Sequence, residues 1–173
     1  MNGKVFTMCL LLAALAAGGA LYYFQTYGFY YEVADRNQRD VHLLSQFDSS
    51  LIAIETHAFQ AVDAMSSPIR YRACFMTPLS LTELRTNYVS ATDAIPRNAP
   101  TWFDCFDATK IAAELADKSA AAFIGQKNIH FGVDRIVAIT QDGRGYVWHD
   151  LNDCGRKSYD GTSLGEDCPE VPG

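Results

Sequence analysis

Residues 136–149 read IVAITQDGRGYVWH. Ile136, Val137, Ala138 and Ile139 form a run apolar enough for the middle of a sheet, and Tyr146, Val147, Trp148 and His149 return from it. Between the two runs, Gln141-Asp142-Gly143-Arg144-Gly145 supplies residues that adopt positive φ without strain, as a tight turn requires. The stretch therefore predicts an antiparallel hairpin, and an antiparallel sheet becomes the frame of the domain. Just upstream, residues 129–140 are expected to make up the outgoing strand. Residues 120–125 are expected to be a shorter strand before it, with Gln126-Lys127-Asn128 as the turn.

Moving toward the N-terminus, residues 108–119 predict a helix capped by Asp107. Ile111, Leu115 and several alanines make its apolar stripe, and Lys110, Glu114, Asp117 and Lys118 face water. Trp102, Phe103 and Phe106 form the densest aromatic stretch before it; they suit either the core or an exposed surface for a partner. Residues 94–100 contain Pro96 and Pro100 and fit no regular element. Residues 80–88 suit a short helix capped by Ser80 or Thr82. Residues 70–76 alternate Arg70 and Arg72 with larger apolar residues, which predicts a strand with one wet face. Residues 60–68 read as a loop ending in Ser66-Ser67-Pro68, and residues 51–56 as a strand. The whole reads as α+β: four or five mostly antiparallel strands covered on one face by one longer and one shorter helix.

The N-terminal part is of another kind. Residues 5–24, VFTMCLLLAALAAGGALYYF, carry no charge, and about twenty helical residues cover the roughly 30 Å hydrocarbon core of a bilayer. Lys4 precedes this run, and Tyr22, Tyr23, Phe24, Tyr27, Phe29, Tyr30 and Tyr31 crowd its far end, where amphipathic rings favour the headgroup layer. The expected organisation is a cytoplasmic N-terminus (residues 1–4), a membrane helix (5–24), an aromatic exit and polar stalk (25–50), a periplasmic α+β domain (51–152) and a disulfide-tied irregular tail (153–173). A cleaved signal peptide is the rival reading, since small residues near positions 14–20 suit a peptidase. The apolar run is longer than an ordinary signal core, and the aromatic belt follows it, both of which favour an anchor. Ala13 and Ala17, Ala14 and Gly18, and Ala16 and Ala20 recur at four-residue spacing, a pattern that lets a second membrane helix approach closely.

All twenty Asp and Glu residues lie beyond this helix with thirteen of the fourteen Lys and Arg, so the outer part carries a net charge of −7. Such a surface argues against nucleic acid and anionic headgroups as partners. Of five cysteines, Cys9 is in the apolar helix, leaving Cys74, Cys105, Cys154 and Cys168. Two disulfides in an oxidising compartment are the economical reading. Three pairings are open; Cys154 with Cys168 and Cys74 with Cys105 are favoured, the first closing a short tail loop and the second tying a strand to the segment before a helix. A zinc site is disfavoured because no Cys-x-x-Cys pair is present.

Motifs for chemistry are sparse. There is no phosphate-binding glycine loop, no Gly-x-Ser-x-Gly elbow, no His-Glu-x-x-His and no haem-attachment motif. His130 and His149 fall where the hairpin strands could bring them together, and with Met76 or Asp150 they would offer metal ligands. Asp104 and Asp107 flank Cys105, and Asp134 and Asp142 sit on the hairpin. Paired carboxylates catalyse only in a desolvated cleft at fixed separation, and Asp107 and Asp142 already have capping and turn roles. No catalytic residue, cofactor or bound metal is expected.

The Met-Asn-Gly-Lys opening, the apolar helix with its Tyr-rich exit, Arg70-Tyr71-Arg72-Ala73-Cys74-Phe75, Trp102-Phe103-Asp104-Cys105-Phe106-Asp107-Ala108 and Asp142-Gly143-Arg144-Gly145-Tyr146 together resemble an uncharacterised single-pass family of Rhodobacter-type alphaproteobacteria. The resemblance implies an inner-membrane anchor with a periplasmic domain and brings no activity with it. The chain lacks the nucleotide-binding glycines and the His-Glu phosphoacceptor context of a histidine kinase. The expected function is a non-catalytic accessory or assembly subunit of an inner-membrane complex, with a respiratory complex as the expected setting and the lipid bilayer and an integral membrane complex as partners. The alternatives are a periplasmic ligand-binding or sensory module and, third, a periplasmic metal-handling protein.

Overall fold

The computed structural model describes residues 3–34, 40–162, 164–165 and 168–169. It divides into two compact units, Met1–Tyr30 and Tyr31–Gly173. In the first, helix α1 (Gly3–Tyr23) has no acidic residue in its first turn, no basic residue in its last and no buried residue. It continues into a five-residue π-helical turn, Phe24–Gly28. The combined helix, Gly3–Gly28, is long and apolar enough to cross a membrane. In the expected aromatic exit, the Phe24 and Phe29 rings lie 5.6 Å apart and those of Tyr23 and Tyr27 6.0 Å apart.

The second unit is built on strands β1 (Tyr30–Val33), β2 (His42–Leu44), β3 (Leu51–Ala53), β4 (His57–Ala64), β5 (Arg72–Met76), β6 (Ala120–His130), β7 (Val133–Thr140) and β8 (Arg144–Leu151), with helices α2 (Leu81–Asn87) and α3 (Ala108–Ala116). Six strands form one sheet in the order β1-β4-β5-β8-β7-β6, and β2 and β3 form a separate antiparallel pair. The α+β class with its mostly antiparallel sheet, longer and shorter helix and two disulfides is thus the observed one. Among the described residues the strands number eight where four or five were expected.

The hairpin of residues 136–149 lies in the heart of this sheet, as β7 and β8 paired from Val133↔Leu151 to Ile139↔Gly145. Gly143 takes φ +82°, and a Cβ there would stand 2.4 Å from the Thr77 carbonyl oxygen. Because β8 also pairs with β5, both edges of β8 are hydrogen-bonded, and with both sheet faces covered six successive residues are buried. Alternation along these strands sorts the core. One face carries Tyr71, Ala73, Phe75, Phe123, Val137, Ile139 and Val147, packed with Leu43 of β2 and with Leu81 and Leu84 of α2. The other carries Arg72, Cys74, Tyr146 and Trp148, against which Phe106 packs at 5.9 Å from Tyr146 and 6.4 Å from Trp148.

The helices therefore cover opposite faces rather than one. Residues 88–91 extend the sheet past β6 without forming a regular strand. Val89 donates its N–H to Leu44, Ile124 donates to Val89, and Ala91 donates to Ala122, each at 2.9 Å. This irregular bridge carries the β2–β3 pair over the first face.

Several boundaries differ from expectation. The polar stretch read as a stalk contributes β1 and β2 to the domain, and Val41 and Leu43 are buried in its core. Its charged residues Asp35, Arg36 and Arg39 lie outside the described residues, as do residues 1–2 of the expected cytoplasmic N-terminus and 163, 166–167 and 170–173 of the tail. Residues 60–68, read as a loop, hold most of β4. A register shift between His57 and Gln60, with Ala58 at φ +52°, breaks the alternation that would have revealed the strand. The turn expected at residues 126–128 lies inside β6; the chain reverses at Gly132, φ +74°, where a Cβ would stand 2.4 Å from Gly155. Helix α3 keeps its Asp107 cap but ends at Ala116, three residues early, and Lys118 takes φ +67°.

Candidate functional site

Both favoured disulfides are formed: Cys74 with Cys105, Cα atoms 6.2 Å apart, and Cys154 with Cys168, 5.5 Å apart. The first bond pins the aromatic segment 102–106 onto the sheet face that carries Trp148. Phe103 and Phe106 are buried beneath that segment, so they form no exposed partner surface. Trp102 is half-buried.

Two arginines hold the proline-rich loop in front of this segment. Arg72 was expected on a wet face and is only 5% exposed. Its Nε donates to the carbonyls of Arg97 and Asn98 at 3.0 and 3.1 Å, and its Nη1 to those of Ile69 and Tyr71 at 2.8 and 2.6 Å. The planar fork of donors suits converging loop carbonyls. Arg97 in turn donates from Nε to Asp150 at 2.9 Å. Irregular backbone is thereby fastened to β5 and β8.

The covering of that sheet face stops short of its β1 edge. Between segment 102–105 and strands β1 and β4 an open cleft of ≈ 500 Å³ remains. Trp102, Phe103, Phe59 and Val62 supply apolar wall, Glu32, Gln60 and Asp104 supply polar groups, and among the described residues no Lys, Arg or His lines it. Its size lies within the roughly 300–1,000 Å³ of small-molecule sites. Two smaller cavities are chemically occupied by the protein itself. In the one of ≈ 260 Å³, Asp150 is held by Arg97, and Asp134 accepts from Asn128 N–H at 2.8 Å and Asn152 Nδ2 at 2.7 Å. In the one of ≈ 210 Å³ beside Cys74 and Cys105, Arg144 binds Glu114, Asp142 and Tyr146, each at 2.8 Å. Glu114, expected to face water, is consequently 14% exposed.

His130 and His149 do come together, with ring centroids 6.1 Å apart. His149 is 2% exposed, stacks on Tyr71 at 4.9 Å, and uses both ring nitrogens. Arg135 Nε, always a donor, contacts Nε2 at 3.0 Å, so the ring proton is on Nδ1 and is donated to the Pro68 carbonyl at 2.7 Å. Burial first, and the Arg135 charge second, push its pKa down to about 3. Asp150 projects from the opposite sheet face, and Met76 pairs with Arg144 at the other end of β8, about 17 Å along the strand at 3.4 Å per residue. The histidine site imagined with Met76 or Asp150 is therefore not assembled. Among the described residues, no group of three or more His, Cys, Asp or Glu is placed to hold a metal ion.

The aspartates are likewise dispersed. Asp107 Oδ1 accepts from Thr109 and Lys110 N–H at 2.9 and 3.1 Å. Asp142 is held to about pKa 2, chiefly by its bond from Arg144 and then by that from Thr140. Of these four, Asp104 alone lines the cleft. The cleft had no signal in the sequence beyond the proximity of Trp102 to Asp104, because β1 and β4, its other wall, were read as stalk and loop.

Residues 41–169 match the model of a family of unknown function, DUF6446. The chain belongs to this family. No curated protein and no solved structure matches it. The DUF6446 match begins at Val41, a core residue, and takes in β2 through β8 and both disulfides. The resemblance to an uncharacterised family thus holds for the sheet domain. The DUF6446 segment leaves out α1 and β1, and with β1 one wall of the cleft.

Proposed function

We propose that this protein is a membrane-anchored, non-catalytic accessory or assembly subunit of an inner-membrane complex, a respiratory complex being the first to test. It is a single-pass protein of Rhodobacter-type alphaproteobacteria, with the N-terminus in the cytoplasm and the sheet domain in the periplasm. The observation that carries the reading is the character of α1: a 21-residue helix that carries no charge after Lys4 and has no buried residue, with a Cβ added at Gly18 or Gly19 meeting no atom within 4 Å. The small faces Ala13/Ala17, Ala14/Gly18 and Ala16/Ala20 are open to close approach by another membrane helix. Two disulfides suit the oxidising side of the membrane, where Lys4 on the near flank directs the domain.

The test is purification of the tagged full chain from its own membranes in mild detergent. A stoichiometric large complex is expected, and Ala14→Leu with Gly18→Leu is expected to weaken that association at least several-fold. A monodisperse lone protein overturns the reading, and unchanged co-purification of the double variant overturns the role of the small face.

The ≈ 500 Å³ cleft favours a second reading, a periplasmic ligand-binding module. Its concave, partly apolar wall with a few polar groups is the form such sites take. A soluble ligand giving a saturable heat of binding would support it.

A further inference from the structure

At the start of β4 the fold sets a histidine beside a methionine. His57 is paired directly with Met76 of β5, and partners across an antiparallel pair carry their Cβ atoms about 4.5–5.5 Å apart on the same side of the sheet. Neither belongs to the core: the His57 side chain is 52% exposed and Met76 is 40% exposed. His57 Nε2 lies 3.1 Å from Glu55 Oε1. A carboxylate in that position favours the ring proton on Nε2 and leaves the lone pair of Nδ1 as the ligand, the arrangement that orients imidazole toward metals. Among the described residues, neither Nδ1 nor the Met76 sulfur has a hydrogen-bond partner.

The backbone turns abruptly beside this pair. Ala58 takes φ +52° although it bears a Cβ, and the register shifts between His57 and Gln60. Bulges re-aim side chains, and a non-glycine residue keeps a left-handed conformation only where its surroundings impose it. On the other side of β5, Met76 faces Arg144, whose guanidinium is matched by Glu114 and Asp142 at 2.8 Å each. A cation bound at Met76 therefore meets no unbalanced positive charge from β8. The donor set narrows the metal. Hard cations take oxygen and would leave imidazole and thioether unused, and zinc takes imidazole, carboxylate or thiolate. A thioether selects copper(I), which imidazole also suits.

We propose that His57 Nδ1 and Met76 Sδ bind one copper(I) ion, with Glu55 holding the imidazole in its ligating tautomer. Each ligand donates a lone pair, and the ion keeps its oxidation state. The test supplies copper(I) anaerobically, as its acetonitrile complex, to the full chain in lipid nanodiscs, with bicinchoninate as competitor. The chain is purified by a tag without histidine and carries Cys9→Ala throughout, because Cys9 is a free thiol.

The expected result is one copper per chain, with nitrogen and sulfur in its X-ray absorption coordination shell. Met76→Leu is expected to weaken binding at least tenfold and to remove the sulfur. His57→Ala should weaken it at least as much, and Glu55→Gln about tenfold, as loss of an outer-shell partner does. Since the three side chains are largely exposed, the thermal midpoint of the metal-free variants should not move. Zinc(II) should bind at least tenfold more weakly than copper(I) and be indifferent to Met76→Leu. Absence of stoichiometric copper overturns the proposal, as does full copper affinity in either Met76→Leu or His57→Ala.

Discussion

His149 shows how one residue type can be read two ways until its neighbours are known. On a strand next to Trp148 it was a candidate ligand; in the fold it is a neutral, doubly hydrogen-bonded core residue stacked on Tyr71, with Arg135 Cζ 4.4 Å over the same tyrosine ring. Since its pKa is pushed down to about 3 from an ordinary value near 6.5, the unfolded chain takes up a proton below pH 6.5 that the folded protein refuses. The stability from this group is complete above pH 6.5 and falls as pH drops toward 3, by roughly 2 kcal/mol between pH 6.5 and 5. Urea denaturation at a series of pH values should show that decline. In His149→Leu the decline should be smaller, although stability at pH 7.5 should also fall, because Arg135 Nε and the Pro68 carbonyl lose their partner. An unchanged slope in the variant would rule out His149 as its source. Nothing in the spacing of histidines could reveal this, because the decisive partners, Pro68 and Arg135, come from a loop and a neighbouring strand.

At the scale of elements, local signals and tertiary ones can be weighed against each other. The Asp107 cap is a local device, legible because an Asx residue stands directly before an apolar helical stripe. Asp107→Ala should cost about 1 kcal/mol. Gly145 looks from sequence like one more turn residue, yet it sits in β8 opposite Phe75, whose buried ring would lie 2.1 Å from an added Cβ. Gly145→Ala must push that ring into a filled core, and overpacking of this kind costs about 1–3 kcal/mol. Its urea midpoint should therefore fall below that of Asp107→Ala; the opposite order would mean that Phe75 moves freely. Helix α2 was legible for the same reason as α3, with Ser80 accepting from Glu83 N–H at 3.3 Å and Leu81 and Leu84 buried. Strand β4 was not legible, because its bulge interrupts the period on which strand reading depends.

For the whole molecule, the covalent ties are the main feature with a measurable global effect. The Cys74–Cys105 bond spans 31 residues and the Cys154–Cys168 bond 14, so in the chain-entropy model each contributes about 3–4 kcal/mol, the first slightly more. Replacing Cys74 and Cys105 by serine should lower the unfolding free energy by that amount and also weaken binding in the cleft, whose wall includes Cys105. The Cys154→Ser, Cys168→Ser variant should lose stability while keeping the cleft, since neither residue lines it. Loss of ligand binding in the tail variant alone would show that the cleft is not the binding site.

By itself the sequence determined the features that depend on near neighbours in the chain: an uncharged helix long enough to span a bilayer, the β7–β8 hairpin around Gly143, the two capped helices, and an even set of outer cysteines. Charge, periodicity and turn chemistry are all properties of a few consecutive residues. Only the tertiary structure decided the rest. It made a polar stretch into β1 and β2, buried Arg72 among carbonyls from four residues, set the helices on opposite faces, and left a cleft between the β1 edge and Trp102. Each of these depends on groups that are distant in the chain and meet only when the sheet is assembled, so no local pattern encodes them.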